Sequence, residues 1–510
     1  MTRSSRPKLA KLIPFNEPLL RFKHDQLLDD PKDGLSLFGP PEAPNGLRFG
    51  VVGSRAGIAQ LKSWTQKIAR VVPRDQKVGS SVTFPGFEAA FREEWDPEPR
   101  VTCQIDEDAL AKALTNPDDY QRVFDIVEIY AQPIRRWIAE EDPKVAFWFV
   151  VIPEEVWKTC RPQSKIMRKD AVKTDVYMTH AKALATHRQN DLFSEINEAA
   201  AKHKYHNHFH NQLKAKLLEC EAVTQVVRQS TIAPYAPEHL NSRGEPKRRL
   251  QDDATVSWNL ATAIYYKSGA KPWTLAGIRD GVCYIGLVFK RSTNPDTKGE
   301  ICCGAQMFLH TGEGIVFKGA VGDWESEKAG EFHLPKEQAK EIVSRCLEAY
   351  KVWHGTLPSE LFIHGRTHFS KAEIDGFREA APEGVSVNGI QIRRPNDLKL
   401  FREGRQAVLR GVALEVSKRA GFLWTSGYVP KLGTYPGREV PTPLKVKIVF
   451  GDAKLTTVLA DILALTKVNF NACLFADGMP VTLRFADDIG EILTAIPEVS
   501  SKPLPFRHYI

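Results

Sequence analysis

The chain has 510 residues, 42% hydrophobic and 26% charged, and its 70 basic and 62 acidic side chains give a formal charge of +8. That length exceeds one compact core and predicts two or three domains, while the mild basic excess permits a polyanionic partner without requiring one. None of the eight cysteines forms a CxxC pair, no apolar run follows the basic N-terminus, and no window approaches 18 uncharged apolar residues. Reduced thiols, a cytoplasmic location and neither secretion nor a membrane span are therefore expected.

Residues 1–106 are rich in Pro and Gly, as in Phe38-Gly-Pro-Pro41, and the reading there is short strands and turns. Leu47–Val52 is an apolar run within that region, and a helix is predicted near Ile58–Val71. From 107 to 270 the texture alternates between helix and strand. Asp106 is placed to cap a helix reaching Tyr130, and Val145–Ile152 reads as a parallel strand buried on both faces. A long polar helix is predicted over 190–219, a strand at Val223–Val227, and a helix from Ala254 to Tyr266 that ends at Ser268-Gly269. This order implies a small doubly wound layer. From 271 to 510 the predicted strands are Gly281–Lys290, Ala305–His310 and Gly314–Lys318, followed by a helix at Lys336–Val352 and a strand at Leu361–His364. Three antiparallel strands, a helix and a strand beside the first is an RNase H-like order, which periodicity alone does not establish.

The segment Lys202–Leu217 is the most informative stretch. On one continuous helix, Lys202, His206, His210 and Lys214 would form a cationic stripe beside the apolar stripe Phe209, Leu213 and Leu217. A row of donors held by a packed helix suits a phosphate. Two other readings stand beside it: a solvated polar face, and zinc held by His206 and His210, for which no HExxH glutamate or third ligand is evident. Tyr205, Phe209 and Trp258 are candidates for stacking on a base, and at helical spacing also for the core.

Phe209-His210-Asn-Gln-Leu-Lys214, then Thr224-Gln225, then Trp258-Asn-Leu-Ala and Tyr265-Tyr-Lys267-Ser-Gly-Ala-Lys271-Pro-Trp273 resemble the MID-domain signature of short prokaryotic Argonautes. Asp33–Pro40, Phe84-Pro-Gly-Phe87, Val282–Gly286 and Phe475–Leu493 resemble the same family, most closely its TIR-APAZ-associated (SPARTA-type) members. The resemblance implies an α/β protein with three parts. A strand- and turn-rich region, 1–106, would pack on the PIWI domain, a Rossmann-like MID domain would span 107–270, and an RNase H-like PIWI domain would span 271–510. His210, Lys214, Gln225 and Lys267 would then grip the 5′-phosphate of a guide. Magnesium would bridge the phosphates, Gln225 and the carboxylate of Ile510, ligands that suit its preference for oxygen. A merely packed C-terminus is the plainer reading of Pro505–Ile510.

A slicing member of that family needs acidic or imidazole ligands for two metal ions. The first aspartate would follow Ile285-Gly286-Leu287, where Val288 stands. The second would lie after Ile363-His364, where Gly365 and Arg366 stand, and a cation there would repel a metal. No catalytic residue, and so no enzyme activity in this chain, is the expectation. Asp323, Glu325, Glu327, Asp487 and Asp488 are the substitutes a rearranged nuclease would need, and they read equally as surface acids and caps. The resemblance further implies a guide RNA, a single-stranded DNA target and a heterodimer with an APAZ-containing effector. That effector would be a TIR NADase in preference to a sirtuin-like NADase or a nuclease. It would oligomerise with this chain on target binding, in defence against plasmids or phages.

Overall fold

The structure is a computed structural model describing residues 11–79, 81–140, 145–164, 166, 177–189, 193–248, 250–291, 301–309, 312, 314–322, 332–395, 397–435, 439–499 and 502–510. Strand β1 is Lys11–Pro14, β2 is Phe49–Gly53 and β3 is Val101–Gln104. Helix α1 (Asp119–Glu140) leads to β4 (Phe147–Ile152), α2 (Phe209–Leu217), β5 (Thr224–Arg228) and α3 (Asp253–Lys267). The second half carries β6 (Val282–Arg291), β7 (Ile301–Leu309), β8 (Gly314–Gly322), α4 (Lys336–His354), β9 (Glu360–Gly365) and β10 (Ser386–Arg393). It ends with β11 (Val412–Ser417), β12 (Ala420–Leu423), β13 (Leu444–Phe450), α5 (Ala486–Leu493) and β14 (Leu504–Pro505).

Four parallel strands in the order β3-β2-β4-β5 form the first sheet. Alternate side chains of β2 and β4 go to opposite faces, so both must be apolar. Val51, Phe147, Phe149 and Val151 pack with Ile58, Leu61 and Trp64 of the helix Arg55–Ile68. Val52, Trp148, Val150 and Ile152 pack with Val123, Ile126 and Tyr130 of α1 and with Phe209 and Leu213 of α2. The doubly wound layer is as expected, but its membership is not. Because β2 and β3 are two of its four strands, the boundary expected at 106/107 falls inside this layer. Only the first part of the N-terminal region joins the second half. There β1 pairs antiparallel with β11, and Leu20–Arg21 pairs with Thr274–Leu275.

The second sheet has ten strands in the order β1-β11-β12-β13-β10-β9-β6-β7-β8-β14. Strands β6, β7 and β8 are antiparallel neighbours, α4 follows, and β9 runs parallel beside β6, which is the order read from the sequence. Among the described residues no helix is long and apolar enough to cross a membrane.

The helix expected over 190–219 is broken. A helix covers Ser194–Lys202, the chain leaves helical geometry over 203–208, and α2 begins after the extended residue His208. Tertiary hydrogen bonds hold the break: His206 N–H donates to Ala495 O at 2.8 Å and Phe209 N–H to Cys160 O at 3.1 Å. The stripe of Lys202, His206, His210 and Lys214 therefore does not exist as one helix face. Lys202 instead pairs with Asp125 of α1 at 2.7 Å.

Candidate functional site

Helix α2 is held by its apolar residues. Phe209 meets Tyr130 edge-on at 5.4 Å, and Leu213 and Leu217 are buried in the same core. That docking carries Lys214 inward until it is only 2% exposed. Its Nζ donates to Ile510 O at 2.7 Å, Thr224 O at 3.1 Å and His508 O at 3.4 Å. Helix α3 is capped by Asp252, whose side chain accepts from Thr255 N–H at 3.1 Å. It stops at Ser268 because Gly269, at φ +101°, turns the chain away. This ending places Lys267, also 2% exposed, against the start of β5. Lys267 Nζ donates to Thr224 O at 2.9 Å and to Gln225 Oε1 at 2.7 Å.

The two ammonium groups thus share one acceptor, the Thr224 carbonyl. Among the described residues neither has a carboxylate side chain within ion-pair distance. Burial pushes Lys214 down to about 7. Burial, then the charge of Lys214, holds Lys267 well below the usual lysine range. Burial pushes His210 down to about 3, with the charge of Lys214 next and a smaller contribution from Lys267, and its Nδ1 lies 3.2 Å from Asn211 Oδ1. The structure therefore brings His210, Lys214, Gln225, Lys267 and Ile510 together. Among the described residues no Asp or Glu side chain stands beside the two buried ammonium groups, and Ile510 O is the oxygen nearest Lys214; burying two cations side by side is costly, and an incoming anion would relieve that cost. Ile510 O and Gln225 Oε1 each accept from one of these lysines at 2.7 Å. Both are oxygen donors of the kind magnesium prefers, and phosphate would have to supply most of such an ion's remaining ligands.

The tail reaches this point by joining the second sheet. Strand β14 pairs with β8 at its edge, and Phe506, Tyr509 and Ile510 are buried beyond it. Beside His210 lies a cavity of about 230 Å³ whose wall includes Trp157, Arg161, His208, Arg228 and Thr231. The Trp157 ring carries the Arg161 guanidinium at 3.1 Å and that of Arg228 at 4.3 Å. The sequence reading missed this cavity, although Trp157 and Arg161, four residues apart, were a legible signal. It also missed Asn211, whose amide donates to Glu491 of α5 at 2.8 Å, while Lys290 of β6 holds the other Glu491 oxygen at 3.0 Å. These bonds lock α2 to the second sheet.

Other expectations fare differently. His206 lies in the turn before α2, so it and His210 are not one helical turn apart, and among the described residues no group of three His, Cys, Asp or Glu side chains could hold a metal ion. Trp258 is a core residue, Phe209 is buried and also lines the cavity beside His210, and Tyr205 packs edge-on against Phe124 at 4.8 Å.

Val288 is 3% exposed on β6, opposite Gly304 of β7. Arg366 follows β9, donating to Asp487 at 2.7 Å and to Leu483 O at 3.0 Å. His364 is buried and meets Thr482 Oγ1 at 2.9 Å. The two positions where aspartates were sought thus hold an apolar side chain and an ion-paired cation. Asp323, Glu325 and Glu327 lie outside the described residues.

No family model matches the chain, and no curated protein matches it. Solved structures do match. Clostridium butyricum Argonaute bound to a guide DNA and a 19-mer target DNA superposes with a TM-score of 0.62 at 15% identity, covering 96% of this chain and 53% of that one. The fold is that of Argonaute proteins. Aa-Ago with externally bound siRNA gives 0.56 at 13% identity, covering 98% and 56% of the two chains. A. aeolicus Argonaute gives 0.53 at 11% identity, covering 98% and 55%. This Argonaute-like chain therefore spans about half the length of those Argonautes.

Proposed function

We propose that the chain binds the 5′-phosphorylated end of a guide strand at Lys214 and Lys267 and uses the guide to recognise a complementary strand without cutting it. The observation that carries this reading is the pair of buried lysines converging on the Thr224 carbonyl, with no Asp or Glu side chain beside them among the described residues. A terminal phosphate carries between one and two negative charges at neutral pH and accepts several hydrogen bonds, which supplies what the lysines lack. Gln225 and His210 direct the remaining oxygens, and the cavity beside Trp157 and His208 gives the first nucleoside a place walled by guanidinium groups stacked on an indole. Magnesium, held by the Ile510 oxygen and Gln225, would add positive charge at the same phosphate.

Cleavage is not part of the proposal, because Val288 and Arg366 cannot ligand metal ions. A guide-dependent binder that does not cut needs another output. The resemblance favours a separate APAZ-containing effector with a TIR NADase, assembled with this chain as a heterodimer and activated by a guide RNA on single-stranded DNA, in defence against plasmids or phages. Guides differing only at the 5′ end test the central step. The His210→Ala, Lys214→Ala double variant should lose a preference for phosphate over hydroxyl that the unaltered chain shows, and equal affinity of the unaltered chain for both ends overturns the proposal.

A further inference from the structure

A second cavity, of about 750 Å³, lies at the other end of β5 from the one beside Trp157. Strands β2, β4 and β5 are parallel, and Arg48, Ala146 and Val223, each standing just before one of them, line this cavity at the amino edge of the first sheet. The Trp157 cavity is walled instead by Ile152 and Arg228, which end β4 and β5. Thr224 and Gln225, which accept from the two buried lysines, lie between the two cavities. Lys267 itself lines the amino-edge cavity, as does His508, whose carbonyl accepts from Lys214.

The charge in this cavity is unanswered. Its cations are Arg48, Lys267 and Arg507, and among the described residues the only carboxylate side chain on its wall is Glu221, which is taken by Lys502. Among the described residues neither Arg48 nor Arg507 has a side-chain hydrogen bond or an ion pair. His508 adds no charge near neutral pH, because burial, with Arg507 and Lys214 beside it, holds its ring down to about 4. Both arginines are placed by backbone. Arg48 O accepts from Ala146 N–H at 2.7 Å, which ties it to the start of β4. The loop before it is pinned by Glu42, which pairs with Lys271 at 2.8 Å. The Arg507 guanidinium rests over Gly269, 3.4 Å from where a side chain would begin, two residues beyond Lys267. Asn45, Gly46 and Arg48 are exposed, so the cavity opens to solvent there, with the buried Lys267 on its inner wall.

We infer that this cavity holds the phosphates beyond the first of a 5′-triphosphorylated guide. The inference deepens the guide-binding reading and rests on it for the position of the first phosphate. With that phosphate at Lys214 and Lys267 and its nucleoside in the Trp157 cavity, whatever is attached to the phosphate's far side points away from the nucleoside, toward Arg48 and Arg507. Each added phosphate is an anion with several acceptor oxygens, which the planar donor fork of a guanidinium matches. A monophosphate leaves both arginines unpaired, and a triphosphate gives each a partner. The substrate class named in this way is RNA that keeps the triphosphate end left by initiation of synthesis, taken without trimming to a monophosphate.

The test uses the full chain and three guide RNAs of one sequence, labelled at the 3′ end and carrying a 5′-hydroxyl, a 5′-monophosphate or a 5′-triphosphate, with affinity measured by fluorescence anisotropy. The triphosphate should bind roughly tenfold more tightly than the monophosphate. Arg48→Ala combined with Arg507→Ala should bring the triphosphate level with the monophosphate, and a surviving preference for monophosphate over hydroxyl shows that this variant is folded. Arg48→Ala alone, at an exposed side chain, should cut the triphosphate advantage to about threefold, half of it on a logarithmic scale. Arg48→Lys combined with Arg507→Lys should keep most of it, and Arg136→Ala on α1 should leave it unchanged. A triphosphate that binds no better than the monophosphate in the unaltered chain overturns the inference, as does an advantage that survives the loss of both arginines. If monophosphate and hydroxyl bind alike while the triphosphate advantage still needs the arginines, the terminal-phosphate reading fails and this site stands. If the monophosphate is preferred and the triphosphate gains nothing, that reading stands and this inference fails.

Discussion

Replacing Lys214 by methionine should stabilise the nucleic-acid-free chain while destroying its terminal-phosphate site. Methionine keeps the length and apolar stem of lysine and removes the buried charge. Lys214 is pushed from 10.5 to about 7, a difference of about 3.5 units, which at about 1.36 kcal/mol per unit is a cost on the order of 5 kcal/mol. Part of that is offset, because the ammonium bonds Ile510 O, Thr224 O and His508 O, and orphaning buried acceptors costs about 1–3 kcal/mol. A net gain of about 2–4 kcal/mol near pH 7 is the expected outcome. The sign of its pH dependence follows from linkage. The folded pKa lies below the unfolded one, so between about 7 and 10.5 the unfolded chain binds the extra proton and the stability of the unaltered chain rises with pH. The penalty is complete below about 7, and the advantage of Lys214→Met should shrink toward high pH. Urea unfolding midpoints of both proteins at neutral and alkaline pH measure this. A variant less stable than the parent at neutral pH, or an advantage that grows with pH, refutes the reasoning.

The same linkage predicts that guide affinity falls as pH rises above about 7, up to tenfold per unit, because binding must reprotonate Lys214; titrating a 5′-phosphorylated guide across pH checks this, and a pH-independent affinity contradicts it. Trp157→Ala should weaken guide binding by about 1–3 kcal/mol through the first nucleoside while leaving the preference for a 5′-phosphate intact, as competition between the two guide ends would show. Gly286→Ala should destabilise the second half by about 1–3 kcal/mol or prevent its folding, since an added methyl would overlap the Thr482 carbonyl; the unfolding midpoint reads it. Arg366→Ala should change stability by less than about 1 kcal/mol, because its partner Asp487 is exposed.

The elements that sequence made legible are those with long, unambiguous patterns. Phe147–Ile152, apolar on both faces, can only be a covered strand, and the β6-β7-β8 run with its following helix appears in the order read. Phe49–Gly53 was visible as an apolar run. Nothing local showed that it pairs in parallel with Phe147–Val151, about a hundred residues away in sequence, rather than with the second half. The break at 203–208 was illegible for a different reason. The segment contains no Gly or Pro, and what ends the helix is a set of tertiary hydrogen bonds from His206 and Phe209. Lys214 survived that error because its place depends on Phe209 and Leu213, which dock α2 independently of the preceding helix. Lys267, Gln225 and Ile510 were grouped with it through resemblance, since only the fold brings residues so far apart in sequence to one carbonyl. The cost of burying two lysines together became visible only with their depth.

The most direct test compares two guide strands identical in sequence, one ending in a 5′-phosphate and the other in a 5′-hydroxyl, by their equilibrium affinity for the unaltered chain. A strong preference for the phosphate that disappears in Lys214→Met and in Lys267→Met is the predicted result. Equal affinity for the two ends, or a preference that survives both substitutions, contradicts the account.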